Sequence, residues 1–196
     1  MTERPFYREG ALRMQETLRT RRLADHIAGK YVTDYLDEAA TAMLRRADCF
    51  YLATADAEGY PDCSYKGGLP GFVHVPHPGL LRFPSYDGNG MFRSLGNILD
   101  NPRIGMLFID YDQPIKLRVN GTAHVSTDGG LLTEFPEADA VVEVRVRQVF
   151  ENCPRYLHDV RVGQYSDHVP RPHHAPPDPD WKLKDEYQGL VRLRNS

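Results

Sequence analysis

The chain has 196 residues, a formal net charge of −3, and a composition that is 41% hydrophobic and 26% charged. These values are typical of a globular domain with a real core, and no apolar run approaches the ~18 residues of a membrane helix. The near-neutral charge argues against a nucleic-acid partner. The start, MTERPFYREG, lacks the apolar stretch of a signal peptide, and the cysteines (Cys49, Cys63 and Cys153) are odd in number. We therefore expect a cytoplasmic protein without disulfides and without a membrane partner.

Residues 5–46 are predicted to be helical. Apolar residues recur there at three- and four-residue steps, as in Ala11, Met14 and Leu18, which is the period of an amphipathic helix. Thr33 is the candidate N-cap of a second amphipathic stretch. This pattern predicts an N-terminal helical extension over residues 1–47.

From Cys49 onward the pattern changes to short strands separated by glycine and proline turns. The predicted strands are 49–55, 60–66, 72–75, 80–84, 103–111, 115–120 and 140–150. One helix, 91–99, is predicted among them and ends before Asn101-Pro102. Six or seven antiparallel strands with one mid-chain helix favour a mainly β, barrel-like domain over residues 48–160. Residues 161–196, which include PRPHHAPPDP, are predicted to form an extended, proline-rich C-terminal arm.

The segment Tyr86–Pro102, YDGNGMFRSLGNILDNP, has the features of a phosphate-binding site. Two glycines precede a helix, so the backbone amides of residues 90–92 are predicted to be free to bind an anion. Arg93 and Ser94 add a guanidinium and a hydroxyl in the first helical turn. The same residues also fit an ordinary turn followed by a solvated arginine, and the segment alone leaves both interpretations open.

A second polar segment is Pro61–Phe72, PDCSYKGGLPGF. The two-residue period of a strand places Ser64 and Lys66 on one side and Tyr65 on the other. A lysine at the end of a strand often protects a sheet edge against pairing with another chain. If this strand lies beside the Arg93 helix, Lys66 instead supplies a second positive charge to the same phosphate.

The third segment is Glu151–His158, ENCPRYLH. Arg155 and His158 are three residues apart and face one side if a helical turn follows Pro154. They are the candidate catalytic residues, able to bind an anionic substrate or donate a proton, although a purely structural turn fits equally. Histidines 173–174 face opposite ways in an extended arm and have no third ligand nearby, so no metal site is predicted.

Taken in order, FYLATAD, PDCSYKGG, FPSYDGNGMFRSLGNILDNP, GMLFID and LRVNG resemble the pyridoxamine 5′-phosphate oxidase-related family of FMN-binding split barrels. The resemblance spans residues 48–126. It implies a split β-barrel, a homodimer with FMN at the subunit interface, and an FMN-dependent oxidoreductase that acts on a small molecule. The candidate cofactor-binding residues are Ser64, Tyr65, Lys66, Asn89, Gly90, Arg93, Ser94, Lys116 and Arg118.

The resemblance implies that Lys66, Arg93 and Ser94 hold the FMN phosphate. It also implies that Lys116 reaches the flavin from the second subunit. Lys116 and Arg118 share the polar face of their predicted strand, where a cation near the flavin would favour its reduced form.

Two departures from the vitamin-making oxidases leave the substrate unidentified. Arg93 is followed by Ser94 where those enzymes have a second basic residue, and WKLKDEYQGLVRLRNS at the C-terminus lacks their substrate-recognition motif. The electron donor and acceptor are likewise not identified. Two alternatives stay open: a flavin-binding or sensor protein without turnover, and a split barrel that uses F420 in place of FMN.

Overall fold

The computed structural model describes residues 6–158, Asp167 and residues 177–191. The described residues up to Val32 form one compact unit with those from Cys153 onward, and Thr33–Asn152 form a second. The domain boundaries predicted at residues 47 and 160 remain predictions. Residues 170–176 of the proline-rich arm lie outside the described residues. In the part of the chain that is described, no helix has the length and apolar character needed to cross a membrane.

The helices and strands lie close to their predicted positions. The described α-helices are α1 (Glu9–Thr17), α2 (Arg21–Tyr31), α3 (Glu38–Arg46), α4 (Arg93–Asp100) and α5 (Gly129–Leu132). The strands of the second unit are β1 (Cys49–Ala55), β2 (Pro61–Gly67), β3 (His74–His77), β4 (Leu80–Tyr86), β5 (Arg103–Asp110), β6 (Ile115–Ser126) and β7 (Ala138–Asn152). The short helix α5 has no counterpart in the prediction.

The seven strands form one antiparallel sheet in the order β2-β1-β5-β6-β7-β4-β3. The sheet curls around a single core, because the ring of Phe50 on β1 lies 5.0 Å from that of Phe83 on β4, four strands away. The ring of Phe108 on β5 also lies 5.0 Å from the Phe50 ring, and all three side chains are buried. The fold is therefore a mainly β split barrel with N-terminal helices, as predicted.

Helix α3 packs on this core and begins at a different cap from the one predicted. The Asp37 side chain accepts a hydrogen bond from the Ala40 N–H at 2.8 Å, which satisfies an amide of the first turn. The prediction of Thr33 as the cap is wrong, because Thr33 forms a β-bridge with Val149. Asp37, four positions after Thr33, is the residue whose side chain reaches an amide of the first turn.

Helix α4 begins two residues later than predicted. Phe92 has a left-handed backbone (φ +45°), which does not continue a helix, so the helix begins at Arg93. Met91 and Leu99, at the two ends of the predicted helix, are exposed. The buried residues of the helix are Ser94, Asn97 and Ile98. Two of the three are polar, so α4 contacts the barrel through hydrogen-bonding groups as well as apolar ones.

The first unit joins α2 to two short 3₁₀ turns near the C-terminus, Asp180–Leu183 and Asp185–Tyr187. Tyr187 is buried, and its hydroxyl donates a hydrogen bond to the Tyr31 hydroxyl at 2.8 Å. Trp181 packs edge-on against the Tyr187 ring at 5.0 Å. These contacts attach the described C-terminal turns to α2.

A backbone constraint in the barrel gives a stability prediction. Gly121 lies where the β6–β7 register shifts, and a Cβ there would lie 2.6 Å from the Arg145 carbonyl oxygen. We expect Gly121→Ala to lower the free energy of unfolding by about 1–3 kcal/mol, since a backbone atom has little room to move. The control is Gly96→Ala in α4, where no atom lies within 4 Å of the added carbon. Equal denaturant midpoints for the two variants would contradict this account.

Candidate functional site

Strand β2 lies at an edge of the sheet and turns polar side chains toward the core side. Asp62, Ser64 and Lys66 alternate with exposed residues of β2 and lie opposite the buried residues of β1. Directly opposed residues of an antiparallel pair share a face, so these three groups lie on the concave side of the barrel. Inward-pointing charges can protect a sheet edge against pairing with another chain. Here the same face is also covered by helix α4.

Helix α4 covers this face through three polar contacts. The contacts are Arg93 Nε to Asp62 Oδ1 at 3.2 Å, Ser94 Oγ to Ser64 Oγ at 3.0 Å, and Asn97 Nδ2, which donates to Thr54 Oγ1 at 3.0 Å. The Asn97 and Thr54 side chains are both buried. A buried polar pair that is satisfied in this way favours one position of the helix on the sheet.

Lys66 is half-buried on the same face of β2. Burial lowers the pKa of its ammonium below the ordinary lysine value of 10.5, and the negative charge of Asp62 acts in the opposite direction. Among the described residues, no side chain forms an ion pair with Lys66. A partly buried ammonium without a close counter-ion is unfavourable, and an anionic ligand bound beside it would relieve this cost.

Ser64, Arg93 and Ser94 are therefore brought together by direct contacts, and Lys66 lies on the same face of β2 as Ser64. The condition stated for a second cation, a β2 strand that lies beside the Arg93 helix, is met. We call the space that they border the β2–α4 hollow. It contains two cationic groups, two hydroxyls and the carboxylate of Asp62.

The loop before α4 differs from its predicted form. The Met91 N–H donates to Asn89 Oδ1 at 3.0 Å, so the expectation that this amide is free to bind an anion is wrong. Gly90 has φ +71°, a conformation that glycine adopts without strain. The first hydrogen bond within the helix runs from Gly96 N–H to Phe92 O. The amides of residues 92–95 are thus the ones without a helical acceptor, so of the three predicted amides Phe92 keeps this property.

The remaining predicted cofactor residues lie on the convex face of the sheet. Tyr65 packs edge-on against Tyr51 of β1 with the ring centroids 5.9 Å apart. Lys116 and Arg118 alternate with the buried residues of β6, and the Arg118 guanidinium lies 5.9 Å from the Phe150 ring. Within one chain, these residues and the β2–α4 hollow are on opposite sides of the sheet.

The convex face carries a row of large side chains across five strands. In register from β2 to β7, the row consists of Tyr65, Tyr51, Leu107, Arg118 and Phe150. Tyr65 is 62% exposed and Tyr51 is 40% exposed. An exposed aromatic and aliphatic surface of this kind is typical of a protein interface.

Arg155 and His158, the candidate catalytic residues, belong to the other compact unit. The Leu157 N–H donates to Pro154 O at 2.6 Å, which closes a single turn after the proline. The Arg155 guanidinium lies 5.0 Å from the Tyr156 ring. Their catalytic role stays a prediction.

Three residues of the site were not predicted from the sequence: Asp62, Thr54 and Asn97. The two-residue period that grouped Ser64 with Lys66 also places Asp62 on the same side, so the signal for Asp62 was present. Nothing in the sequence pairs Asn97 with Thr54, which are 43 positions apart. That contact depends on how α4 packs on β1.

Comparison with known proteins gives a family match over most of the barrel. A family model described as pyridoxamine 5′-phosphate oxidase matches residues 36–162. No curated protein matches the chain. The chain is also similar to three solved structures. The numbers in parentheses give the sequence identity, the covered share of this chain and of the other chain, and the TM-score. They are a candidate pyridoxamine 5′-phosphate oxidase from Lactobacillus delbrueckii (25%, 60% and 95%, 0.49), an F420 reductase (21%, 59% and 98%, 0.42) and the heme storage protein HutZ from Vibrio cholerae (15%, 59% and 94%, 0.40).

Proposed function

The chain belongs to the pyridoxamine 5′-phosphate oxidase family, and from this premise we propose that it is a homodimeric, FMN-dependent oxidoreductase acting on a small molecule. The observation that carries the proposal is the β2–α4 hollow. Arg93 and the hydrogen-bonded hydroxyls of Ser64 and Ser94 lie there, and the half-buried Lys66 lies on the same face of β2. Lys66 and Arg93 bind the terminal phosphate of the cofactor.

The donor set of the hollow fits a phosphate monoester. Arg93 directs its Nε toward Asp62, so the two terminal nitrogens of the guanidinium are available to phosphate oxygens. Each serine hydroxyl has one proton, and one of the two is used in the Ser64–Ser94 hydrogen bond. The other proton is available to the ligand. The amides at the start of α4 add a positive electrostatic potential on the same side.

The flavin supplies reversible two-electron chemistry when it is bound, and the protein supplies position and electrostatics. A cofactor held in the β2–α4 hollow of one chain lies across the sheet from the Lys116 and Arg118 of that chain. A second chain can bring these cations to the flavin. With a flavin bound, a positive charge there would favour its reduced form. The row that includes Tyr65 and Tyr51 is the surface on which the second chain packs.

The experiment that tests the proposal is identification of the chromophore of the purified protein. The protein is denatured, the released molecule is identified by absorption and mass, and the intact protein is then mixed with a reduced nicotinamide under anaerobic conditions. We expect equimolar FMN, bleached by the donor. Release of F420 or heme would contradict the assignment of FMN. Bound FMN that no donor reduces would contradict catalysis and leave a flavin-binding protein.

A further inference from the structure

The β2–α4 hollow contains a carboxylate that a site for phosphate alone does not need. Asp62 Oδ1 lies 3.2 Å from Arg93 Nε, and the Asp62 side chain is 24% exposed, against 58% for Arg93. Asp62 also acts electrostatically on Lys66, whose pKa burial lowers and Asp62 raises. The carboxylate therefore faces both cations that are assigned to the phosphate.

A negative charge at this position has a cost for anion binding. It cancels part of the positive potential of Lys66 and Arg93, and it repels the phosphate directly. The benefit of an ion pair as exposed as that of Arg93 with Asp62 is small. Stabilisation of the free protein is thus a poor reason for a carboxylate here, and its chemistry toward a ligand is the better one.

An ionised carboxylate only accepts hydrogen bonds. Oδ1 accepts from Arg93, and no hydrogen bond or ion pair of Oδ2 is found among the described residues. The group that Oδ2 can bind must therefore be a donor. A ligand that brings both a phosphate and an adjacent hydroxyl satisfies the cations and the carboxylate together. Sulfate, which carries no proton at neutral pH, can satisfy only the cations.

We propose that Asp62 makes the β2–α4 hollow selective for phosphate esters of polyols over anions without a hydroxyl, such as sulfate. Its carboxylate accepts a hydrogen bond from a ligand hydroxyl close to the phosphate and disfavours anions that lack such a hydroxyl. This inference rests on the proposed function, since the ribityl phosphate of FMN is a polyol phosphate ester. Asp62 also holds the Arg93 guanidinium in place, but a positioning role alone would weaken all anions equally.

The test compares FMN with sulfate in the wild type and in Asp62→Asn, a variant of the same shape without the charge. FMN affinity is measured on the cofactor-free protein by quenching of flavin fluorescence, and sulfate is titrated as the competitor. In Asp62→Asn we expect the preference for FMN over sulfate to fall about tenfold or more, the usual effect of a hydrogen bond to a charged group. The inhibition constant of sulfate falls, while the Kd of FMN stays the same or rises.

Two further variants serve as controls for the charge of Asp62 and for its position. Asp62→Glu retains the charge and is expected to retain weak binding of sulfate. Glu58→Gln removes an exposed carboxylate from the β1–β2 turn, and it is expected to leave the preference for FMN unchanged. Circular dichroism shows whether each variant is folded.

Equal changes in the FMN and sulfate constants of Asp62→Asn, or no change in either, would overturn the selectivity proposal. If the wild type holds FMN and the preference survives in Asp62→Asn, the proposal for Asp62 fails and the proposed function stands. If the wild type does not bind FMN more tightly than riboflavin, the proposed function fails, and the proposal for Asp62 fails with it.

Discussion

Replacing Lys66 with methionine is expected to weaken FMN binding about 30- to 150-fold, since a hydrogen bond to a charged group contributes about 2–3 kcal/mol. Lys66 is half-buried and has no ion-pair partner among the described residues, so its ammonium is available to the phosphate. Fluorescence titration of the cofactor-free variant with FMN measures the effect. An unchanged Kd in a folded Lys66→Met variant would contradict the role of Lys66.

The lowered pKa of Lys66 also predicts a pH dependence. Because burial lowers the pKa of this lysine below 10.5, the cofactor-free protein loses the charge at a lower pH than an exposed lysine would. FMN affinity of the wild type is therefore expected to fall as the pH rises toward 10.5, by at most about tenfold per pH unit. Lys66→Arg is the matched control, since arginine stays protonated. Its affinity is expected to change little over this range.

The lowered pKa of Lys66 also determines how the free energy of unfolding changes with pH, and this provides a control for the binding experiments. The unfolded chain keeps the Lys66 proton to a higher pH than the folded chain does, so the free energy of unfolding of the wild type rises with pH between the two pKa values. Below both values the protonated ammonium is destabilising. Lys66→Met lacks the buried charge and is expected to unfold at the same or higher denaturant concentration at neutral pH. A loss of FMN binding in this variant is then not caused by unfolding.

Replacing Tyr51 with glutamate is expected to convert the proposed dimer into monomers that lose FMN. Tyr51 lies in the middle of the exposed row on the convex face, between Tyr65 and Leu107. A carboxylate buried there without a partner costs about 2–5 kcal/mol, which weakens dimerisation by about 30-fold or more. The flavin is lost because Lys116 and Arg118 of the second chain no longer reach it.

Light scattering of the purified protein, together with its flavin absorbance, measures both effects. Tyr51→Phe keeps the ring and is the matched control, expected to remain dimeric and yellow. Because Tyr51 is 40% exposed in the single chain, the glutamate is expected to leave the barrel folded. A wild type that is monomeric with FMN bound would contradict the use of this face. A dimeric Tyr51→Glu variant would contradict it as well.

Most of the barrel could be predicted from local patterns in the sequence. The alternation of Ile115, Leu117 and Val119 with polar residues gave the faces of β6 correctly, because the two-residue period of a strand needs no knowledge of its neighbours. The β2 face with Ser64 and Lys66 was predicted for the same reason. The order of the strands in the sheet is not visible in these patterns, since it depends on which strands pair.

The parts that were mispredicted depend on single backbone angles or on distant contacts. The start of α4 was placed too early because the left-handed φ of Phe92 has no signal in a non-glycine residue. Met91 and Leu99 of the predicted helix are exposed, whereas the polar residues Ser94 and Asn97 are buried. Their polar partners on β1 and β2 stabilise this orientation. These partners cannot be identified from the sequence, because they depend on the position of α4 on the sheet.

The central claim is that the β2–α4 hollow binds the terminal phosphate of FMN. Riboflavin is the sharpest comparison, because it has the same ring and the same polyol chain and lacks only the phosphate. The measurement is the ratio of the Kd values of riboflavin and FMN for the cofactor-free wild-type protein under identical conditions. The account predicts that FMN binds at least about 100-fold more tightly, since two cations contact the phosphate. Equal affinity for the two flavins would contradict it.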